Sequence, residues 1–185
     1  QICCHPQIAS SVLEGVCVKN SAKSDALFTD LEILLAEGQK AIVFSQFTSM
    51  LKLIAEKCAE RGWSFSYLDG ATKDRQSVVR RFQEDKTNQL FLISLKAGGV
   101  GLNLTAADYV ILYEPWWNEA VENQAIDRVH RIGRLHPVIA KRYIFRDTIE
   151  ERMMLLKETK RAIASSLFET EAGFSIDDLE FLLCL

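Results

Sequence analysis

LFLISLKAGGVGLNLTAADYVILYEPWWNEAVENQAIDRVHRIGR, Leu90 to Arg134, passes from an apolar run through a glycine turn to a second apolar run and then into a helix, and that order decides the fold. Phe91 to Leu95 is an almost uninterrupted apolar stretch, the pattern of a strand covered on both faces in a parallel sheet. Polar chemistry begins where it stops. Lys96, Gly98, Gly99 and Gly101 follow at once, so bare backbone is free to approach a ligand and a short helix to present its unpaired N–H groups. Such a turn suits an anion. Tyr109 to Tyr113 reads as a neighbouring strand, with Glu114, Pro115, Trp116, Trp117 and Asn118 as its exit loop. Ligands of open α/β sheets sit beyond the carboxyl ends of strands, so both exits are predicted to line one cleft.

Glu119 to Ile132 contains no Gly or Pro, and Asn118 is placed to cap it, which predicts a helix over that span. Gln124, Arg128 and Arg131 are spaced by four and three and therefore share one helix face, while Val121 and Ala125 point to the sheet. Arginines fixed in this way can grip a phosphate with two parallel hydrogen bonds, which lysine does not match. Taken alone, an Arg-x-x-Arg on a helix more often makes surface salt bridges.

Context favours the phosphate. SLKAGGVGLNLTAADYVILYEPWWN resembles motif V and its extension, and QAIDRVHRIGR resembles motif VI, of the Swi/Snf family of helicase-like, double-strand DNA translocating ATPases, with the bacterial branch as the nearest likeness. The resemblance covers nearly the whole chain. It implies a RecA-like α/β lobe, a parallel sheet with helices on both faces plus a helical C-terminal extension. In the family this is the second motor lobe, which lends the Gln and two Arg of motif VI to ATP held on a first lobe. Matched residue by residue, the resemblance gives Gln124, Arg128 and Arg131, with Arg131 as the arginine finger. It gives Gly101 and Asn103 as the part of motif V facing nucleotide, and Lys96, Ala97, Gly98 and Gly99 as the part along the tracked DNA strand. Trp117 matches a tryptophan that meets DNA, whereas Trp116 reads as packing. Glu119 stands where the family usually has Pro, and Arg134 where it usually has Gln.

Working outward, Lys40 to Gln46 is the first strong strand and Phe47 to Arg61 a helix ended by Gly62. KAIVFSQFTSML resembles motif IV, which puts Ser45 and Gln46 near the DNA backbone; the same residues could equally satisfy loop backbone groups. Trp63 to Leu68 is a further strand. DGATKDRQSVVRRF, Asp69 to Phe82, resembles the family's segment opening on Asp-Gly-x-Thr, with Thr72 capping a helix that starts near Lys73 and both residues offered to a DNA phosphate. Asp25 to Glu37 carries leucines at helical spacing and ends at Gly38. Gln1 to Gln7 reads as a helix end stopped by Pro6, within a connection and linker spanning residues 1–24. The lobe proper is expected over residues 25–147, including a strand at Val138 to Phe145. A helical brace, residues 148–185, begins with a long helix capped by Asp147 or Thr148 and ends in a short helix from Ile176.

Composition fits one globular core: 185 residues, 48% hydrophobic and 25% charged. The net charge of -3 is against a generally basic binder, but Arg128 to Arg146 holds six Arg or Lys and no Asp or Glu, and the local potential is what a phosphate meets. Five cysteines without C-x-x-C spacing point to a reducing compartment and to no metal site. No apolar run approaches a membrane span.

The resemblance implies the second lobe of an ATP hydrolase stimulated by double-stranded DNA, which remodels protein–DNA complexes. ATP and Mg2+ would be held mainly by a first RecA-like lobe of the same polypeptide, because no phosphate-binding Gly-x-x-x-x-Gly-Lys loop occurs in this chain, and the isolated chain is expected to be inactive. The location follows the branch: bacterial cytoplasm at the nucleoid, or nucleus in a eukaryote. A degenerate lobe kept as a DNA- or protein-binding regulatory module is one alternative, and a strand-separating helicase of the same superfamily another. A dinucleotide-dependent oxidoreductase fits poorly, since Gly99, Gly101 and Leu104 give Gly-x-Gly-x-x-Leu without the last glycine.

Overall fold

The computed structural model describes residues 3–5, 21–98, 101–129 and 137–166. Two compact units are present, Gln1–Tyr143 and Ile144–Leu185. In the first, β1 (Ala41–Ser45), β2 (Phe65–Leu68), β3 (Leu90–Ser94), β4 (Tyr109–Leu112) and β5 (Ile139–Arg142) form one sheet in the order β2-β3-β1-β4-β5, every neighbouring pair parallel.

Side chains alternate across a strand, so each apolar strand serves two cores. Ala41, Val43, Leu90, Leu92 and Ile111 face one side, where Leu27 and Leu31 of α1 (Ala22–Ala36) and Met50, Leu51 and Ile54 of α2 (Thr48–Glu60) cover them. Ile42, Phe44, Phe91, Ile93, Val110 and Leu112 face the other, under Phe82 of α3 (Arg75–Glu84), Leu95 and Ala97 of α4 (Leu95–Gly98) and Ala125 of α5 (Glu119–Asp127). β1, β3 and nearly all of β4 are buried on both faces. That is the expected RecA-like layering.

The helix ends follow from local chemistry. Gly38 and Gly62 take left-handed φ values of 76° and 69°, so the chain can turn back and reclaim carbonyls of the last helical turn. Gln39 N–H then donates to Leu34 at 2.9 Å, and Trp63 N–H to Cys58 at 3.0 Å. α1 starts at Ala22, earlier than the expected Asp25, because residues that read as polar linker have tertiary partners. The Lys23 ammonium lies 5.7 Å from the centre of the Tyr113 ring, and Ser24 Oγ accepts from Lys57 Nζ at 3.1 Å. Ahead of it, Cys3 and Cys4 form a turn where a helix end was expected, and the Cys4 carbonyl accepts from Tyr113 Oη at 3.0 Å.

Lys40 joins α3 to the sheet. Its ammonium donates to Phe82 O and, at 2.8 Å, to Asp85 O, capping the α3 carbonyl end. At the far edge, β5 is held by its charges: Lys141 pairs with Asp30 at 3.1 Å, Arg142 with Glu122 at 3.0 Å, and Tyr143 donates its hydroxyl to Asp30. In the second unit α6 (Ile149–Ser166) is capped by Thr148, whose Oγ1 accepts from Glu150 N–H at 3.3 Å. The helix expected from Ile176 lies outside the described residues.

Candidate functional site

The chain leaves β1 towards the face of α2 but leaves β3 and β4 towards the opposite face, so these exits diverge at the carboxyl edge of the sheet, where ligands of open α/β sheets sit. Glu114, only 2% exposed, lies at that edge. Ser45 Oγ donates to Glu114 Oε1 at 2.8 Å, and Gln46 N–H donates to the same carboxylate, tying the end of β1 to the end of β4. The Ser45 side chain is fully buried, and its hydroxyl also accepts from Phe47 N–H at 3.1 Å, so it satisfies loop backbone groups. Gln46 is half-buried beside it.

Beyond β3, α4 presents Lys96 to solvent and buries Ala97. Gly98 ends this helix, and Gly99 lies outside the described residues. Gly101 turns the chain with a φ of 52°, and Asn103 is exposed beside it. This loop is held by two helices. Gln83 Nε2 of α3 donates to Asn103 O at 2.6 Å and Gln83 Oε1 accepts from Ala106 N–H at 2.9 Å, while Leu104 N–H donates to Arg128 O at 3.1 Å at the end of α5.

Asn118 caps α5 as expected, its Oδ1 accepting from Ala120 N–H at 2.9 Å. The helix is shorter than its sequence suggests. It ends at Asp127, with Arg128 as the cap, because the Arg128 carbonyl is drawn to Leu104 and Val129 N–H tightens onto Ile126 O at 2.9 Å. Gln124 is exposed on the last full turn, on a shallow surface with Val121, Asn123 and Asp127. Arg128 is half-buried, and its Nε is buried with no hydrogen-bond acceptor among the described residues. Arg131 and Arg134 lie outside the described residues, and with them part of the face expected to be shared by Gln124, Arg128 and Arg131.

At the exit of β2 the expected cap is corrected. Asp74, not Thr72, caps α3, accepting from Ser77 N–H at 3.0 Å. Thr72 belongs to the preceding turn, where its Oγ1 accepts from Asp69 N–H at 3.0 Å and donates to Asp69 Oδ1 at 3.2 Å. A carboxylate reaches the first-turn amides at least as well as a hydroxyl, and Asp69 has already engaged Thr72. Lys73 is exposed between turn and helix. Trp116 packs on the α3–α5 core, and Trp117 is half-buried at the loop surface.

Sequence reasoning missed Gln83, Glu114 and Glu122. The last is fully buried, accepts from Trp116 N–H at 2.5 Å and meets Arg142, so it fixes the tryptophan loop. An acid at the end of an apolar strand was a usable signal for Glu114; Gln83 gave none. Among the described residues no group of three or more His, Cys, Asp or Glu is placed to hold a metal, and no helix is long and apolar enough to cross a membrane.

Residues 23–133 match the helicase conserved C-terminal domain. DNA repair protein RAD5B of Arabidopsis thaliana is 48% identical over 170 residues, covering 89% of this chain and 13% of that protein. DNA repair protein rad8 of Schizosaccharomyces pombe is 40% identical over 164 residues, covering 86% and 14%. The chain thus spans about one-seventh of the length of these relatives. Among solved structures, the C-terminal part of the Fun30 ATPase domain is similar at a TM-score of 0.72 and 30% identity, covering 96% of this chain and 55% of that one. The Sulfolobus solfataricus SWI2/SNF2 ATPase C-terminal domain is similar at a TM-score of 0.72 and 29% identity, covering 98% and 76%. The expected bacterial branch is corrected by the curated relatives, which are eukaryotic.

Proposed function

The chain belongs to the helicase conserved C-terminal domain family, and we propose that it is the second motor lobe of a Swi/Snf-type, ATP-dependent double-strand DNA translocase. Its eukaryotic relatives carry names of DNA repair proteins, which supports a role in DNA repair and a nuclear location. The observation that carries the reading is Arg128. A buried guanidinium nitrogen without an acceptor is unfavourable by about 1–3 kcal/mol, and a phosphate oxygen arriving from outside the chain would relieve it. Gln124 stands four residues earlier, so both reach the same ligand.

ATP supplies the phosphoryl group and Mg2+ neutralises its charge, both held mainly on a first lobe of the same polypeptide. The residues of this chain bind and orient. Gln124, Gly101 and Asn103 meet the nucleotide, and Arg128 with Arg131 stabilises charge on the transferring phosphoryl group, Arg131 as the arginine finger. Lys96, Lys73, Thr72, Gln46, Trp117 and the backbone of Ser45, Ala97, Gly98 and Gly99 hold one DNA strand by its phosphates. Such contacts carry no sequence information and let the motor advance along the duplex.

The test is ATP hydrolysis by the full-length protein with and without duplex DNA, comparing the natural sequence with Arg131→Ala. DNA-stimulated hydrolysis whose kcat falls by about three to five powers of ten in the mutant supports the assignment. Activity unaffected by the mutation removes Arg131 from it. No activity in either protein favours the regulatory module. The isolated 185-residue chain is expected to hydrolyse no ATP.

A further inference from the structure

We propose that Gln83 is a positioning residue: it clamps the nucleotide-facing loop from Asn103 to Ala106 onto α3 and, through that loop, sets the place of Arg128. Its consequence for ATP turnover rests on the motor reading above; its geometry does not. Gln83 follows Phe82, which is fully buried and packs its ring 5.1 Å from that of Phe91 in β3, so the start of the Gln83 side chain is fixed by the core. Both ends of its amide are engaged at once, the nitrogen on Asn103 O at 2.6 Å and the oxygen on Ala106 N–H at 2.9 Å.

Between those two anchors, Leu104 N–H donates to Arg128 O at 3.1 Å, and the Leu104 side chain is fully buried. A continuous path therefore runs from α3 through three backbone positions of the loop to the residue that ends α5. Just before the clamp, Gly101 has a left-handed φ of 52° and nothing within 4 Å of where a Cβ would stand. Leu104 and Ala107 are fully buried in the core and give the loop its apolar anchorage, and Gln83 adds a polar one to its backbone. The residue type is specific. Glutamine offers a donor and an acceptor at this reach, glutamate offers acceptors only, and methionine has the length with neither function.

Losing the clamp leaves a loop that occupies the nucleotide-competent position for only part of the time, and apparent affinity falls by that fraction. Two weak hydrogen bonds make the fraction about one in ten, equivalent to about 1.4 kcal/mol. In the full-length protein, Gln83→Met is expected to raise KM for ATP about tenfold, with kcat and DNA affinity much less affected. A residue that merely stabilised the fold would lower melting temperature and active fraction without moving KM.

Amide hydrogen exchange at Ala106, followed in the same proteins, is independent of activity. It should accelerate about tenfold in Gln83→Met and stay slow in Gln83→Glu, which keeps the acceptor. Unchanged exchange at Ala106 in Gln83→Met overturns the clamp. Faster exchange with an unchanged KM overturns its positioning role. A natural protein without ATPase activity overturns the motor reading and the role in turnover with it, while the exchange result still decides the clamp.

Discussion

Replacing Glu114 tests whether one carboxylate holds the two strand exits together. Glu114→Leu keeps the volume roughly constant but leaves the buried Ser45 hydroxyl and the Gln46 N–H without their acceptor. An orphaned buried donor costs about 1–3 kcal/mol. Ser45 has a poorer alternative in Phe47 O at 3.3 Å, and Gln46 is half-buried, so each falls in the lower half of that range. Glu114→Leu should therefore lose about 2–4 kcal/mol. Glu114→Gln keeps one oxygen and should lose about 1–2 kcal/mol, chiefly the extra strength of a charged acceptor. Urea denaturation of the 185-residue chain, fitted with a common slope, measures both through the midpoint. Equal losses in the two variants, or a loss below about 0.5 kcal/mol in Glu114→Leu, the level of an ordinary surface change, would refute the tie assigned to Glu114.

Asp74→Ala should cost about 1 kcal/mol by removing the α3 cap, and more than any effect of Thr72→Ala on that helix, as read by exchange at Ser77. Lys40→Met should lose about 1–3 kcal/mol in the same denaturation measurement, because the α3 carbonyls at Phe82 and Asp85 lose their ammonium cap. Burial and the neighbouring Lys57 charge hold His5 below its usual value against the pull of Asp25, so the unfolded chain binds its proton first, and melting temperature should fall as pH drops below about 6.5. Burial pushes the Cys58 thiol up to about 12, with Arg61 opposing, and pushes Tyr67 to about 12 with Asp69 adding to the rise. Stability from these groups is complete below pH 9 and should be lost as pH climbs towards 12; a melting temperature flat across that interval contradicts both assignments.

Much of the fold was legible because it depends on short-range pattern. The β1, β3 and β4 runs are apolar on both faces, and Gly38 and Gly62 stop their helices through a φ that other residues resist. What sequence could not supply was the competition between distant partners. Lys23 and Ser24 look like linker until Tyr113 and Lys57 are placed beside them. Thr72 looks like a cap until Asp69 takes its hydroxyl. α5 looks longer until Leu104 draws the Arg128 carbonyl away. In the candidate site, Gln124 and Arg128 stand close in sequence and so were legible as a pair, whereas Gln83 bonds to a loop 20 residues away through backbone atoms, which leave no mark in residue type.

The four-residue β5 has a consequence for how these molecules share a solution. It stands at the end of the sheet order, and an outermost strand is a template on which another chain can align. Here the template carries Lys141 and Arg142 on its opposite faces, each paired with an acid of its own lobe, Asp30 of α1 and Glu122 of α5. A second copy aligning β5 against β5 would stack like charges or pull them from those acids. Pairing of two copies along β5 is thereby disfavoured.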